Sequence, residues 1–290
     1  MSGVTRVIPM VLGWEILPLR VSMPLVEEPR ASMLLREPVP GLLLEVDGGY
    51  FLIDSGFNTP LVRDRWLHRR FFPSRDYQPE LAGPSDRDPL EAAFELAGVD
   101  PADVVGVVIS HLHFDHSGGI RHFAGRAPVY IQRTELDAAN ADHRRSELSA
   151  AMFRIDWDDP SIDWRLLDGD AELAPGINAL WTPGHTPGHM SVVVDVDESA
   201  RDQHQVPGYV FACDAADLQE NLDSEQPVSA PFGQAHEITL AAIRRLKSVA
   251  LDKGYRVIPG HDPVVWPAFA AEMGVQVFTP PQALGGHGGG

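Results

Sequence analysis

Two apolar runs separated by a tight turn form the clearest pattern near the start of the chain. They flank an Asp-Gly-Gly sequence at residues 47–49. Because Asp-Gly between apolar runs favours a two-stranded hairpin, we expect a β-hairpin over residues 41–56. Residues 57–89 show no clear periodicity and combine large aromatic side chains with arginines. We expect a long ordered loop with one short helix there, used in an interface or to cover a site.

Farther along the chain, runs typical of strands alternate with helical spacing. The apolar run at residues 104–109 predicts a buried strand. Further strands are expected near residues 128–132, 178–182, 190–196, 208–213 and 255–261, and helices at residues 89–97, 133–143 and 238–251. Residues 156–170 and 219–232 are polar and are expected to form turns and loops. This order predicts an α/β fold with two sheets covered by helices in a single domain, residues 1–290, with a flexible tail from about residue 284.

Composition and charge exclude several classes of function. The 290 residues are 44% hydrophobic and 22% charged, as in ordinary globular proteins. The formal net charge of −18 argues against nucleic acids and anionic membrane surfaces as partners. The N-terminus lacks the basic start of a signal peptide, and no apolar run approaches the roughly 18 residues of a membrane span. We therefore expect a cytoplasmic protein.

The sequence His-Leu-His-Phe-Asp-His at residues 111–116 directly follows the predicted buried strand. Imidazole and carboxylate groups at this spacing are ligands that zinc and neighbouring transition metals prefer. Three further strand ends present similar side chains: the doubled Thr-Pro-Gly-His at residues 182–189, Asp214, and the Gly-His ending at His261. Together these turns offer enough groups for two metal sites, which can activate a water molecule between them.

The order of these motifs resembles the metallo-β-lactamase superfamily over roughly residues 42–266. The resemblance implies a four-layer αβ/βα sandwich with two Zn²⁺ ions, for which Fe, Co or Mn are possible substitutes. It also implies seven ligands: His111, His113 and His189 for one metal, Asp115, His116 and His261 for the other, and Asp214 as the bridge. His185 and Asp54 are then expected to lie behind the ligands, where they would orient them.

The finer resemblance is to the quorum-quenching N-acyl homoserine lactonases, on the loop at residues 111–119 and the doubled Thr-Pro-Gly-His. It implies that a metal-bridging hydroxide opens a small lactone, that Asp115 passes a proton to the leaving oxygen, and that the protein is a homodimer. Alternatives remain open: another lactone or ester, a phosphotriester, or a thioester as in glyoxalase II-like enzymes. A β-lactamase and a di-iron flavoprotein fit the motifs less well.

One position departs from the lactonase pattern. Those enzymes usually carry a tyrosine three residues after the bridging aspartate, and its phenol is thought to touch the substrate, but this chain has Asp217 there. A carboxylate beside two metal ions should stay ionised and cannot donate a hydrogen bond. Either the metals suffice, or another donor replaces the phenol, or the substrate differs. Asp217 is thus a candidate catalytic residue, with capping of the next loop as the alternative. Phe114 is a candidate pocket residue.

Overall fold

The computed structural model describes residues 3–143 and 151–280. The strands of the described residues are β1 (Arg6–Pro18), β2 (Leu34–Val46), β3 (Gly49–Ile53), β4 (Gln78–Leu81), β5 (Val104–Val108), β6 (Pro128–Gln132), β7 (Asp163–Leu167), β8 (Ala171–Ala174), β9 (Ile177–Trp181), β10 (Met190–Asp195), β11 (Gly208–Phe211) and β12 (Arg256–Ile258).

The α-helices of the same ranges are α1 (Thr59–Arg63), α2 (Arg65–Phe71), α3 (Pro89–Ala97), α4 (Phe114–Ser117), α5 (Arg133–His143), α6 (Arg154–Trp157), α7 (Arg201–His204), α8 (Gln219–Ser224), α9 (His236–Lys253) and α10 (Val265–Glu272). None of them has the length and apolar character needed to cross a membrane.

The strands form two sheets. The first has the order β4-β1-β2-β3-β5-β6-β7 and the second the order β12-β11-β10-β9-β8. In the first sheet the pairs from β4 to β3 are antiparallel, and those from β3 to β7 are parallel. In the second sheet β12 is parallel to β11 and the remaining pairs are antiparallel.

Alternating side chains on these strands build three hydrophobic clusters. Successive residues of a strand point to opposite faces. Leu42 and Val192 therefore enter the cluster between the sheets, whereas Leu43 packs on the far side of the first sheet in the cluster that contains Phe94 of α3. Val193 packs on the far side of the second sheet with residues of α9. Helix, sheet, sheet and helix make four layers, which confirms the expected αβ/βα sandwich.

Most predicted elements are confirmed, including the hairpin β2–β3 and the helix α3, which has Asp88 and Gly98 as its caps. Residues 57–89 differ from the prediction because they contain two helices and the edge strand β4. Asp64 separates the two helices, since its side chain accepts hydrogen bonds from the first backbone amides of α2. The expected polar stretches likewise contain β7 and α8. The predicted tail, from about residue 284, lies outside the described residues.

Candidate metal centre

Four strand ends bring the ligand-type side chains to one edge of the sandwich. The last residue of each strand and the group that follows it are Val108 before His111, Trp181 before the doubled Thr-Pro-Gly-His, Phe211 before Asp214, and Ile258 before His261. One strand belongs to the first sheet and three belong to the second. The site therefore lies where the edges of the two sheets meet.

Two compact groups of nitrogen and oxygen atoms at this edge contain most of the expected ligands, and a third group, Glu15, Glu37 and His261, shares His261 with the second. The members of each group offer ligand atoms within 4.8 Å of one another: His111, His113, His185 and Asp214 in the first group, and Asp115, His116 and His261 in the second. All seven side chains are buried. Because burying so many polar groups is costly unless they are paired, this arrangement is typical of a metal centre and not of ordinary packing.

Asp214 contacts both groups through different oxygens. Its Oδ2 lies 3.3 Å from Nε2 of His185 and 3.7 Å from Nε2 of His111. Its Oδ1 lies 3.1 Å from Nε2 of His261 and 3.2 Å from Nε2 of His116. This division of the two oxygens is the geometry that a carboxylate needs to bridge two metal ions.

The two histidines of the doubled motif have positions opposite to those expected. Nε2 of His185 lies 2.9 Å from Nδ1 of His113, inside the first group. His189 is not brought into that group. Its Nε2 accepts a hydrogen bond from the backbone amide of Asp214 at 3.0 Å, and its Nδ1 lies 3.1 Å from the carbonyl oxygen of Thr182. Because both ring nitrogens of His189 are used in this way, His185 has the geometry of a ligand and His189 that of a support.

Hydrogen bonds behind the ligands fix the orientation of three imidazoles. Nδ1 of His116 lies 2.9 Å from Oδ2 of Asp54, as expected for Asp54. Nδ1 of His261 lies 2.9 Å from the carbonyl oxygen of Pro38, and Nδ1 of His185 lies 2.9 Å from that of Ser229. When Nδ1 carries the proton that makes such a bond, Nε2 keeps its lone pair for a metal.

The donor set fits a transition metal. Nδ1 of His113 lies 2.9 Å from Nε2 of His111 and 2.9 Å from Nε2 of His185, so three buried imidazole nitrogens converge on one point. A bound cation would satisfy such nitrogens, which are costly to bury unpaired. Imidazole nitrogens with carboxylate oxygens suit zinc, and also iron, cobalt and manganese.

Glu135 holds two of the loops together and was missed in the sequence. Its buried carboxylate accepts hydrogen bonds from the amides of Leu112 at 3.0 Å and Gly188 at 2.9 Å, and from the hydroxyl of Thr186 at 2.7 Å. Burial raises its pKa to about 7. An acidic residue in the first turn of α5 is an ordinary helix feature, so the sequence carries no sign of this role.

Burial and nearby charges shift the pKa values of these histidines in opposite directions. Burial lowers the pKa of His113 to about 3 and that of His111 well below the usual value. Burial acts in the same direction on His116 and His261, but nearby carboxylates, Asp214 among them, outweigh it and raise the pKa of both well above the usual value. In the first group the rings are therefore neutral, as metal ligands must be.

A cavity of about 300 Å³ opens onto the two groups. One wall carries three buried carboxyl groups, those of Glu15, Glu37 and Asp217. Burial, together with neighbouring negative charges such as that of Asp214, raises the pKa of Asp217 well above its usual range. Oδ1 of Asp217 has no hydrogen-bond partner among the described residues. Asp217 thus lines the cavity, but it makes no metal-ligand contact in the two groups.

The opposite wall is aromatic. Phe114, between two of the ligands in the sequence, lines the cavity, as proposed from the sequence. Its ring packs against those of Phe72, Tyr77 and Phe153, with centroid distances of 5.2, 5.3 and 4.8 Å. Phe72 and Tyr77 belong to the segment at residues 57–89. That segment therefore forms part of the cavity wall, a role that its apolar and aromatic composition allows.

The fold, the order of the motifs and the ligand groups all match one known protein family. A family model described as the metallo-beta-lactamase superfamily matches residues 36–261, well over half of the chain. The chain belongs to the metallo-β-lactamase superfamily. It is therefore a metal-dependent hydrolase of this superfamily, as the two ligand groups also indicate.

Within the superfamily the chain is similar to lactonases. It is 31% identical over 245 residues to an N-acyl homoserine lactonase of Bacillus cereus, covering 84% of this chain and 87% of that protein. It is 30% identical over 240 residues to the N-acyl homoserine lactonase AttM of Rhizobium radiobacter, covering 80% and 84%. A solved N-acyl homoserine lactone hydrolase with the product N-hexanoyl-L-homoserine bound at its catalytic metal centre superimposes with a TM-score of 0.75, at 26% identity, over 96% of this chain and 100% of that one.

Proposed function

We propose that this protein opens the ring of N-acyl homoserine lactones and thereby quenches quorum signals. The observation that carries the proposal is that the two carboxylate oxygens of Asp214 contact two different buried ligand groups. These groups lie at the mouth of a cavity with an aromatic wall. Similarity to lactonases over most of both chains supports the substrate class. A related metallohydrolase acting on another lactone, ester, phosphotriester or thioester is the alternative.

The residues that would hold the metals are those of the two groups. We propose His111, His113 and His185 for one ion, Asp115, His116 and His261 for the other, and Asp214 between them. In this assignment His185 replaces His189, because both nitrogens of His189 already make hydrogen bonds. We propose zinc as the metal, since a His-rich site with carboxylates suits it. Two bound ions would supply an activated water molecule and an electrophile for the lactone carbonyl.

The chain's own residues then bind the substrate and move a proton. The aromatic wall around Phe114 is placed to receive the acyl chain. Asp115 lines the cavity next to the metal groups, where its carboxylate can accept the proton that the attacking water releases and pass it to the ring oxygen as the lactone opens. Asp217, the second catalytic candidate, is assigned to the cavity wall, where its carboxylate can accept but not donate a hydrogen bond when it is ionised.

The test is a substrate panel with the zinc-loaded protein. We expect N-acyl homoserine lactones to be hydrolysed with a kcat/KM at least about tenfold above those of thioesters, phosphotriesters and β-lactams, a difference of ~1.4 kcal/mol in barrier. Chelation should abolish turnover, and re-addition of zinc should restore it. A higher kcat/KM on any of the other three classes would replace the lactone assignment.

We also propose a cytoplasmic homodimer. The support for association is Trp66 on α2, which is 73% exposed and has the guanidinium of Arg69 at 5.6 Å from its ring. Tryptophan and arginine are enriched at protein interfaces. Sedimentation at micromolar concentration should give a dimer, and Trp66→Ala should shift it toward monomer. The single-domain organisation of the chain stays a prediction.

A further inference from the structure

A tyrosine outside every motif reaches the metal edge. Tyr77 lies one residue before β4, the edge strand that pairs with β1. In that pairing Pro79 lies opposite Glu15, and Glu15 in turn lies opposite Glu37 on β2. Because residues two apart in a strand share a face, Tyr77 continues the face that carries these two glutamates toward the cavity.

Aromatic packing fixes the Tyr77 ring against the metal loop. Its centroid lies 5.3 Å from that of Phe114, edge to face, and 6.0 Å from that of Phe72, stacked. Phe114 stands between His113 and Asp115 in the sequence, so the phenol is held by a residue that the ligands position. Contacts of this kind restrict a side chain to one orientation.

The Tyr77 hydroxyl is buried and faces the carboxyl group of Glu15. Its oxygen has no hydrogen-bond partner of normal geometry among the described residues, although the ring lines the cavity. A buried hydroxyl without a well-formed hydrogen bond is costly, so this one is available to a bound molecule. An ordinary phenol has a pKa near 10, so this one is protonated at neutral pH and offers one hydrogen bond.

A phenol supplies that hydrogen bond whatever the protonation state of the neighbouring carboxyl groups. The carboxylates of Glu15 and Asp217 are acceptors when they are ionised. The hydroxyl of Ser22 already donates to Glu37 at 2.5 Å. A lactone carbonyl that gains negative charge needs donors, and the position where related lactonases carry a phenol is here Asp217.

We propose that Tyr77 donates a hydrogen bond to the carbonyl oxygen of the bound lactone and stabilises the negative charge that develops there. The proposal rests on the proposed lactonase function. Tyr77, from the segment that leads into β4, would take the role of the tyrosine that related lactonases carry three residues after the bridging aspartate. No proton is transferred by Tyr77, because the hydrogen bond only strengthens as charge builds up on the carbonyl oxygen.

The experiment compares zinc-loaded Tyr77→Phe with the wild-type protein on an N-acyl homoserine lactone. Phenylalanine keeps the ring packing and removes only the hydroxyl. Removing a donor to a developing oxyanion should lower kcat by ten- to a thousandfold with little change in KM and with unchanged metal content. Tyr50→Phe, at the hairpin end of β3, is the matched control and should stay within twofold of the wild type.

A thiolactone of the same acyl chain identifies the atom that is contacted. It has the same carbonyl oxygen but a sulfur leaving atom, so loss of a carbonyl contact should lower both rates by the same factor, within about threefold. A loss confined to the oxygen lactone would overturn the carbonyl assignment.

Three further results would overturn the proposal. A Tyr77→Phe protein as active as the wild type at full metal content would remove Tyr77 from the reaction and leave the lactonase function standing. A loss of activity that follows a loss of metal would make Tyr77 a structural support of the site. A wild-type protein inactive on every lactone would overturn the proposed function, and this inference with it.

Discussion

Nε2 of His185 lies 2.9 Å from Nδ1 of His113, although 72 residues separate the two in the chain. This contact brings the first histidine of the doubled Thr-Pro-Gly-His into the ligand group and leaves the second, His189, behind it. His189 instead holds the backbone amide of Asp214 at 3.0 Å. We therefore propose different tasks for the two histidines: His185 binds metal, and His189 positions Asp214.

The two variants His185→Ala and His189→Ala separate these tasks. We expect His185→Ala to retain about one metal ion per chain where the wild type holds about two, and to lose nearly all turnover, because a ligand is removed. His189→Ala should keep both ions and lose roughly ten- to a hundredfold in kcat, the effect of losing an outer support. Metal analysis of both purified proteins checks this. The reverse pattern of metal loss would return His189 to the ligand set.

Asp214→Ala should affect both metal sites together. Its two oxygens contact different ligand groups, at 3.3 Å from His185 and 3.1 Å from His261. Removal of a shared ligand should therefore lower the occupancy of both sites and nearly abolish turnover. Asp54→Ala is the comparison: it removes only an outer support, of His116 directly and of His111 through the Ser110 hydroxyl, so it should lower metal occupancy less than Asp214→Ala does. Full metal content in Asp214→Ala would contradict the bridging role.

Much of the metal centre was predictable because its residues directly follow the ends of strands in the sequence. A strand boundary can be recognised from an apolar run followed by Gly or Pro, and six of the seven expected ligands lie in the two groups. The choice between His185 and His189 was not predictable, since both follow Pro-Gly and only the folded loop decides which ring turns inward.

Other features depend on pairing between distant segments. β1 was not expected, because Pro9, Gly13 and Glu15 interrupt its apolar pattern. In the structure β1 pairs with β2 along its length, with an irregularity between Val11 and Gly13. Glu15 and Glu37 become neighbours only through this register. Glu135 likewise gains its role only when two loops meet.

Asp217→Asn tests whether the missing family phenol has been replaced by a carboxylate with its own catalytic role. If Tyr77 and the metals suffice, the amide variant should hydrolyse a simple lactone within about tenfold of the wild type, or ~1.4 kcal/mol of barrier. A hundredfold loss of kcat with intact metal content would place Asp217 in the reaction itself. Asparagine has nearly the same shape as aspartate, so the substitution tests the carboxyl group and not the packing.

A buried aspartate away from the metal groups predicts a dependence of stability on pH. Asp156 is fully buried, accepts one hydrogen bond from Asn58 at 2.7 Å, and has a pKa that burial raises to about 7. A carboxyl group whose pKa is raised by folding stabilises the fold below its unfolded pKa. That contribution is lost as pH rises through the folded value, here about 7.

Asp156→Asn should remove this dependence. Between pH 6 and pH 8.5 the wild-type protein should lose ~1.4 kcal/mol of unfolding free energy from this group, while the variant loses less. Urea unfolding at the two pH values, at constant metal content, measures the difference. Asp137→Asn, at an exposed position of α5, is the control and should follow the wild type. Equal pH slopes for wild type and Asp156→Asn would contradict the assignment.

Part of the cavity wall comes from a different region of the chain than the metal groups. The ligands stand at four strand ends between residues 111 and 261, whereas Glu15, Glu37, Phe72 and Tyr77 precede them all. Mutations at wall positions such as Phe72 can therefore redirect the enzyme to a new substrate while the metal ligands, Asp54 and Tyr77 stay unchanged. Substrate preference can thus evolve separately from metal binding.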